Sequence, residues 1–153
     1  MKLLKYTIIF LVINFGALAI GSWLMGSGPS ADWYQNLNKA PWTPPGWGFG
    51  FAWTTIMICF SIYMGILYKN FGSKLIIILF LIQFVLNTIW NYIFFNLKLP
   101  GIALIIIAGL TGTITIFLLE FIRNMKWKSL LICPYFIWLC IATSLNMYIV
   151  IHN

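Results

Sequence analysis

Five apolar runs, each long enough to cross a bilayer core, take up most of the 153-residue chain. Crossing the hydrocarbon takes about 20 predominantly apolar residues in a helix. The runs cover residues 6–25, 47–68, 75–95, 101–121 and 129–151. Backbone groups in lipid have no water to bond, so each run is expected as a helix. The fold class is therefore all-α and integral to the membrane: a five-helix bundle in a single domain over residues 1–153. Only 7% of the residues are charged. A soluble domain carries about 25%, so this chain has too few charges to cover a water-facing surface.

The net charge is +7, but the basic residues sit at the ends of the apolar runs rather than in a stripe. That placement fits anchoring to an anionic membrane face and gives no nucleic-acid surface. Lys2, Lys5, Lys69, Lys74, Arg123, Lys126 and Lys128 fall on one side of a five-span topology, and only Lys39 and Lys98 on the other. The positive-inside rule then places the N-terminus in the cytoplasm and the C-terminus outside. The expected location is a multi-pass position in a bacterial cell membrane. The first run passes Ala17-Leu18-Ala19, which resembles a signal-peptide cleavage box. The apolar stretch continues through Ile20, Trp23 and Leu24, so a retained helix is the favoured reading.

Three connections are short, at 69–74, 97–101 and 123–128. They predict that consecutive helices are antiparallel neighbours. The fourth, residues 26–46, is long for a spacer. Ser30 or Asp32 is expected to cap a short helix there, with Trp33, Tyr34 and Leu37 on one face. Pro41, Pro44 and Pro45 then stiffen the approach to the second span. Trp33 and Trp42 fit either a lid or an interfacial anchor.

Polar residues inside the spans are few and patterned. Gln83, Asn87, Trp90 and Asn91 share one face of the third helix. Amides are costly in lipid, so this face turns inward, either to glue helices together or to line a pocket. Tyr135, Trp138, Ala142 and Asn146 form a matching stripe on the fifth span, with Pro134 placed to kink it. Trp53, Met57, Phe60 and Met64 form another on the second. Together they make either an aromatic core or a charge-free volume suited to a flat, largely apolar ligand held by a few hydrogen bonds.

The chemistry that is missing narrows the function. The only acids are Asp32 in the loop and Glu120 near a helix end, where Arg123 is placed to pair with it. The only histidine is His152. No carboxylate pair, nucleophile–base pair or mid-membrane proton relay is present. Cys59, Cys133 and Cys140 lie in apolar runs without metal spacing, so no metal site is expected. Thr111, Thr113 and Thr115 are expected to bond back to their own helix carbonyls.

Several ordered motifs carry a family resemblance over essentially the whole chain. They are Trp33-Tyr34-Gln35-Asn36-Leu37-Asn38-Lys39-Ala40-Pro41-Trp42-Thr43-Pro44-Pro45, Trp53, Asn87-Thr88-Ile89-Trp90-Asn91, Pro134-Tyr135-Phe136-Ile137-Trp138 and Ala142-Thr143-Ser144-Leu145-Asn146. The chain resembles the TspO/MBR family of tryptophan-rich sensory and translocator proteins. The resemblance implies a pocket under a first-loop lid, with protoporphyrin IX or haem-type tetrapyrroles as ligand and no cofactor required. By position, Trp53, Asn87, Trp138 and Ala142 match pocket residues of that family. The expected ligand set is Trp33, Trp42, Trp53, Met57, Gln83, Asn87, Trp90, Asn91, Tyr135, Trp138, Ala142 and Asn146, with Lys39 at the mouth for the propionates. The implied role is a receptor or carrier for sensing, transport or scavenging. Light-dependent porphyrin breakdown through Trp53 and Trp138 is a second role, and a membrane scaffold a third. Ala17 with Gly21, and Ala108 with Gly112, show small-xxx-small spacing that suits close helix contacts, including a homodimer. Two departures stand out. Ala40 precedes Pro41 where the family more often has proline directly after the lysine. No basic residue follows Leu145 and Tyr148, so specific sterol binding is not expected.

Overall fold

The computed structural model describes residues 1–153 and contains no strand. Five helices are long and apolar enough to cross a membrane. They are α1 (Lys2–Leu24), α3 (Gly46–Phe71), α4 (Lys74–Asn91), α5 (Pro100–Met125) and α6 (Cys133–His152), with a short α2 (Asp32–Gln35) in the long connection. The chain is thus a multi-pass integral membrane protein. Its outer surface is apolar, as lipid requires: Val12, Ile105 and Leu119 are each about two-thirds exposed or more.

Local chemistry sets the helix ends. Ser73 caps α4 by accepting a bond from the Ile76 amide. Pro100 opens α5 in the first turn, where its missing N–H costs nothing. Lys126 ends α5 with a positive φ of 52°. Residues Lys126–Leu131 then close as a 3-10 segment, so the last span starts at Cys133 rather than at 129. That start corrects the expected kink, because Pro134 lies in the first turn of α6 and removes no internal bond. α4 passes into a π-helical turn, Tyr92–Asn96, in which the Leu97 amide bonds the Tyr92 carbonyl. The Ser30 hydroxyl bonds the Ser27 carbonyl, so Ala31 occupies the cap position of α2 and neither Ser30 nor Asp32 caps it. Glu120 and Arg123 are both exposed and form no ion pair.

The helices form a closed ring in the order α3, α1, α4, α5, α6, with the seam between α6 and α3 the sparsest. Consecutive spans are neighbours except α3 and α4, which the short turn had predicted to pack together. α1 lies between them. Gly65 of α3 lets α1 approach so closely that a Cβ there would collide with Thr7. α3 and α4 meet only through long side chains, such as the Phe60 and Phe80 rings at 6.1 Å. Lipid is as apolar as a leucine side chain, so close packing and hydrogen bonds hold such a bundle. Asn14 of α1 donates to Ser61 of α3 at 2.8 Å. Tyr63 of α3 donates to the Phe117 carbonyl of α5 at 3.3 Å. Thr111 and Thr143 join α5 to α6 at 3.1 Å. Thr111, Thr113 and Thr115 also bond back to carbonyls of their own helix, as expected.

Candidate functional site

The three inward faces predicted for α3, α4 and α6 do meet, but at two levels. The lower level is sealed. The Tyr135 hydroxyl donates to the Gln83 carboxamide oxygen at 3.0 Å. The Tyr135 ring meets Phe60 edge-on at 5.2 Å and Trp53 at 5.9 Å. Met57, Phe60, Met64, Gln83 and Tyr135 are all at most 1% exposed. Met57 and Gln83 therefore belong to the packed core, and Gln83 spends its oxygen on Tyr135.

The upper level lies toward the loop. Trp90 donates its indole N–H to Asn146 at 3.1 Å, and Asn146 donates to the Pro100 carbonyl at 2.9 Å. One amide thus ties α4, α5 and α6. Trp90 stacks on Phe94 of the π turn at 4.9 Å. Trp33 and Tyr34 of the loop close over Phe94 at 5.8 and 6.2 Å. The extra residue of the π turn brings Phe94 inside, where only 2% of it is exposed.

Two polar groups between these levels stand apart. Asn87, one turn from Gln83 and 6% exposed, makes no side-chain hydrogen bond, yet its amide is not sealed off. Trp138, 9% exposed, has an indole nitrogen that is sealed and unpaired. An unpaired buried donor costs on the order of 1–3 kcal/mol. Phe49 meets the Trp138 ring edge-on at 5.4 Å. Ala142, one turn further along α6, is half-buried against the core. On its outer side Trp138 borders an apolar groove of about 430 Å³ between α3 and α6, with Ala52, Ile56, Ile137 and Ile141.

Three predicted residues lie elsewhere. Asn91 turns toward α1, where a Cβ on Gly21 would stand 2.8 Å from its amide nitrogen, and it donates to the Asn87 backbone carbonyl. Trp42 lies outside the ring on α6, bonded to Ser144 at 3.1 Å and edge-on to Tyr148. Lys39 does not face the mouth. Its ammonium bonds the Tyr34 and Gln35 carbonyls at 2.9 and 3.0 Å, closing the C-terminal end of α2, and lies 4.9 Å from the Tyr34 ring centre. Burial also raises the Tyr34 phenol above its ordinary pKa. Of the small-residue pairs, Ala17 and Gly21 are buried inside the bundle, whereas Ala108 and Gly112 lie on the exposed face of α5. Sequence reasoning missed Phe49, although it sits four residues before Trp53 on the same face. It also missed Asn14, whose only signal was a lone amide in an apolar run.

The fold and the seam define the class as a multi-pass membrane bundle of five helices, with indoles and amides facing inward beneath a folded loop. The TspO/MBR family profile matches residues 8–152, and the chain belongs to that family. It is similar to a tryptophan-rich sensory protein of Cereibacter sphaeroides, at 32% identity over 75% of this chain and 73% of the relative. The tryptophan-rich protein TspO of Bacillus cereus is 30% identical over 93% of each chain. The human translocator protein is 29% identical over 78% of this chain and 73% of its own.

Proposed function

We propose that this protein is a membrane receptor or carrier for porphyrin-type tetrapyrroles, held between α3, α4 and α6 beneath the loop. The observation that carries the reading is the pair of unpaired polar groups, Asn87 and the Trp138 indole N–H, set in an aromatic seam without charge. A flat apolar ring would stack on Trp53, Trp90 or Trp138 and take a hydrogen bond from the open Asn87 amide, and a small shift of the Trp138 ring would bring its indole N–H to the same ligand. The sensory and translocator names of the relatives point the same way. Because Lys39 is tied to α2, propionates would remain at the loop surface unless that lysine is released. We place the basic end of the bundle, with Lys2, Lys69, Lys74 and Arg123, in the cytoplasm on the positive-inside rule. Titration of the detergent-purified protein with protoporphyrin IX, followed by tryptophan emission, tests the reading. Saturable quenching that weakens in Asn87→Leu supports it, and the absence of any saturable signal defeats it.

A second reading is light-dependent porphyrin breakdown. It is favoured by the contact of Trp53 with Tyr135 at 5.9 Å, which places oxidisable rings side by side, with Trp138 on the same helix as Tyr135. Bleaching of bound porphyrin under light should then slow in both Trp53→Phe and Trp138→Phe. Equal bleaching in both variants and the unaltered protein would leave only the binding role.

A further inference from the structure

The loop at residues 26–46 is gripped at Asn38 by the last side chain of the far end of α6, Asn153. Asn153 accepts the Asn38 backbone N–H at 2.8 Å and donates back to the Asn38 carbonyl at 3.2 Å. A single carboxamide thus pairs with both backbone groups of one residue, as a neighbouring strand would. Asn38 returns a bond from its own amide to the His152 carbonyl at 3.1 Å. The same Asn153 nitrogen bonds the Ile149 carbonyl at 2.9 Å, which fixes the carboxamide against the last turn of α6. Four residues further along the loop, Trp42 bonds Ser144 and meets Tyr148, and Tyr148 stacks on His152 with ring centres 3.8 Å apart. Ser144, Tyr148 and His152 are spaced by four, so they form one rail along α6.

The loop segment held this way is stiff within itself. Lys39 closes α2 onto its own carbonyls, and the Gln35 amide bonds the Pro29 carbonyl at 2.6 Å. At its near end Gly26 and Gly28 take positive φ of 59° and 51°, a turn that glycine makes without strain and that offers a pivot. The contacts under α2 are apolar, to the cluster of Phe94, Ala103 and Ile149, and the directional bonds from the loop to α6 come after it, at Asn38 and then Trp42; of these only the Asn38 bonds act on the residue beside Lys39. We propose that Asn38 and Asn153 form a latch. Releasing it frees α2 and Lys39 to swing as one body about Gly26 and Gly28, uncovering the Trp90–Asn146 level of the site. The latch is a property of the fold and does not depend on which ligand lies below.

Limited trypsin digestion of the full chain in detergent tests this. Cutting after Lys39 requires the lysine to leave its carbonyls, so the rate follows the open population when opening is fast. Lys98, in the other turn at the same end, serves as the internal control. Asn153→Ala should raise cleavage at Lys39 roughly tenfold, the size expected for losing two net hydrogen bonds, and leave Lys98 unchanged. Asn153→Asp keeps the acceptor for the Asn38 N–H and loses the donor, so it should fall between. If Asn153→Ala loses its helical signal, Asn153→Asp alone decides the matter. Unchanged Lys39 cleavage in the folded variants overturns the latch. So does a rise at Lys39 matched by an equal rise at Lys98, since that is general loosening.

Discussion

Asn146 is the polar side chain on which the upper level depends most. It is 2% exposed, accepts the Trp90 indole N–H at 3.1 Å and donates to the Pro100 carbonyl at 2.9 Å. Replacing it with alanine removes both bonds and strands a half-buried indole donor. Side-chain hydrogen bonds within membranes average about 0.6 kcal/mol and reach about 1.7. Two such bonds and the packing of the lost amide give an expected cost of about 2 kcal/mol for Asn146→Ala. Reversible unfolding in mixed detergent micelles, followed by far-ultraviolet circular dichroism, measures it. Trp90→Phe removes the donor while keeping an aromatic ring, so a double-mutant cycle isolates the pair. The coupling should be about 0.6 kcal/mol or more. A coupling within about 0.3 kcal/mol of zero, the level at which independent sites add, would refute the bridge.

Four further outcomes are expected. Tyr135→Phe leaves the Gln83 oxygen unpaired at 1% exposure and should cost about 1–3 kcal/mol; adding Gln83→Leu should recover part of that loss in the same unfolding assay. Gly65→Ala forces a Cβ onto Thr7 and should cost about 1–3 kcal/mol by prising α1 from α3. Gly112→Ala meets nothing within 4 Å and should stay within about 0.5 kcal/mol of the unaltered protein in that assay. Asn14→Leu should weaken the α1–α3 pair by about 1 kcal/mol because the Ser61 hydroxyl loses its donor; no change would show that the Ser61 bond to the Met57 carbonyl is sufficient alone.

Much of this molecule is legible before any coordinates. Apolar run length alone determines five crossings, because a lipid-embedded backbone has few ways to satisfy its hydrogen bonds. Helical periodicity alone turns Gln83 and Asn87, Tyr135 and Trp138, and Met57 and Phe60 inward, because polar groups in lipid are expensive and large rings need partners. What the sequence could not supply was who stands beside whom. The short turn at 69–74 argued for α3 beside α4, but Gly65 admits α1 between them, a close approach visible only once both helices are placed. Lys39 looked free for an anionic ligand until the end of α2 offered it two carbonyls. Asn91 shared a face with Asn87, yet Gly21 draws it to α1. Asn38 and Asn153, 115 positions apart, carry no local signal of their bond. Periodicity reports which way a side chain faces, whereas pairing depends on the ring order of the helices, and that order comes from how closely small residues let backbones approach.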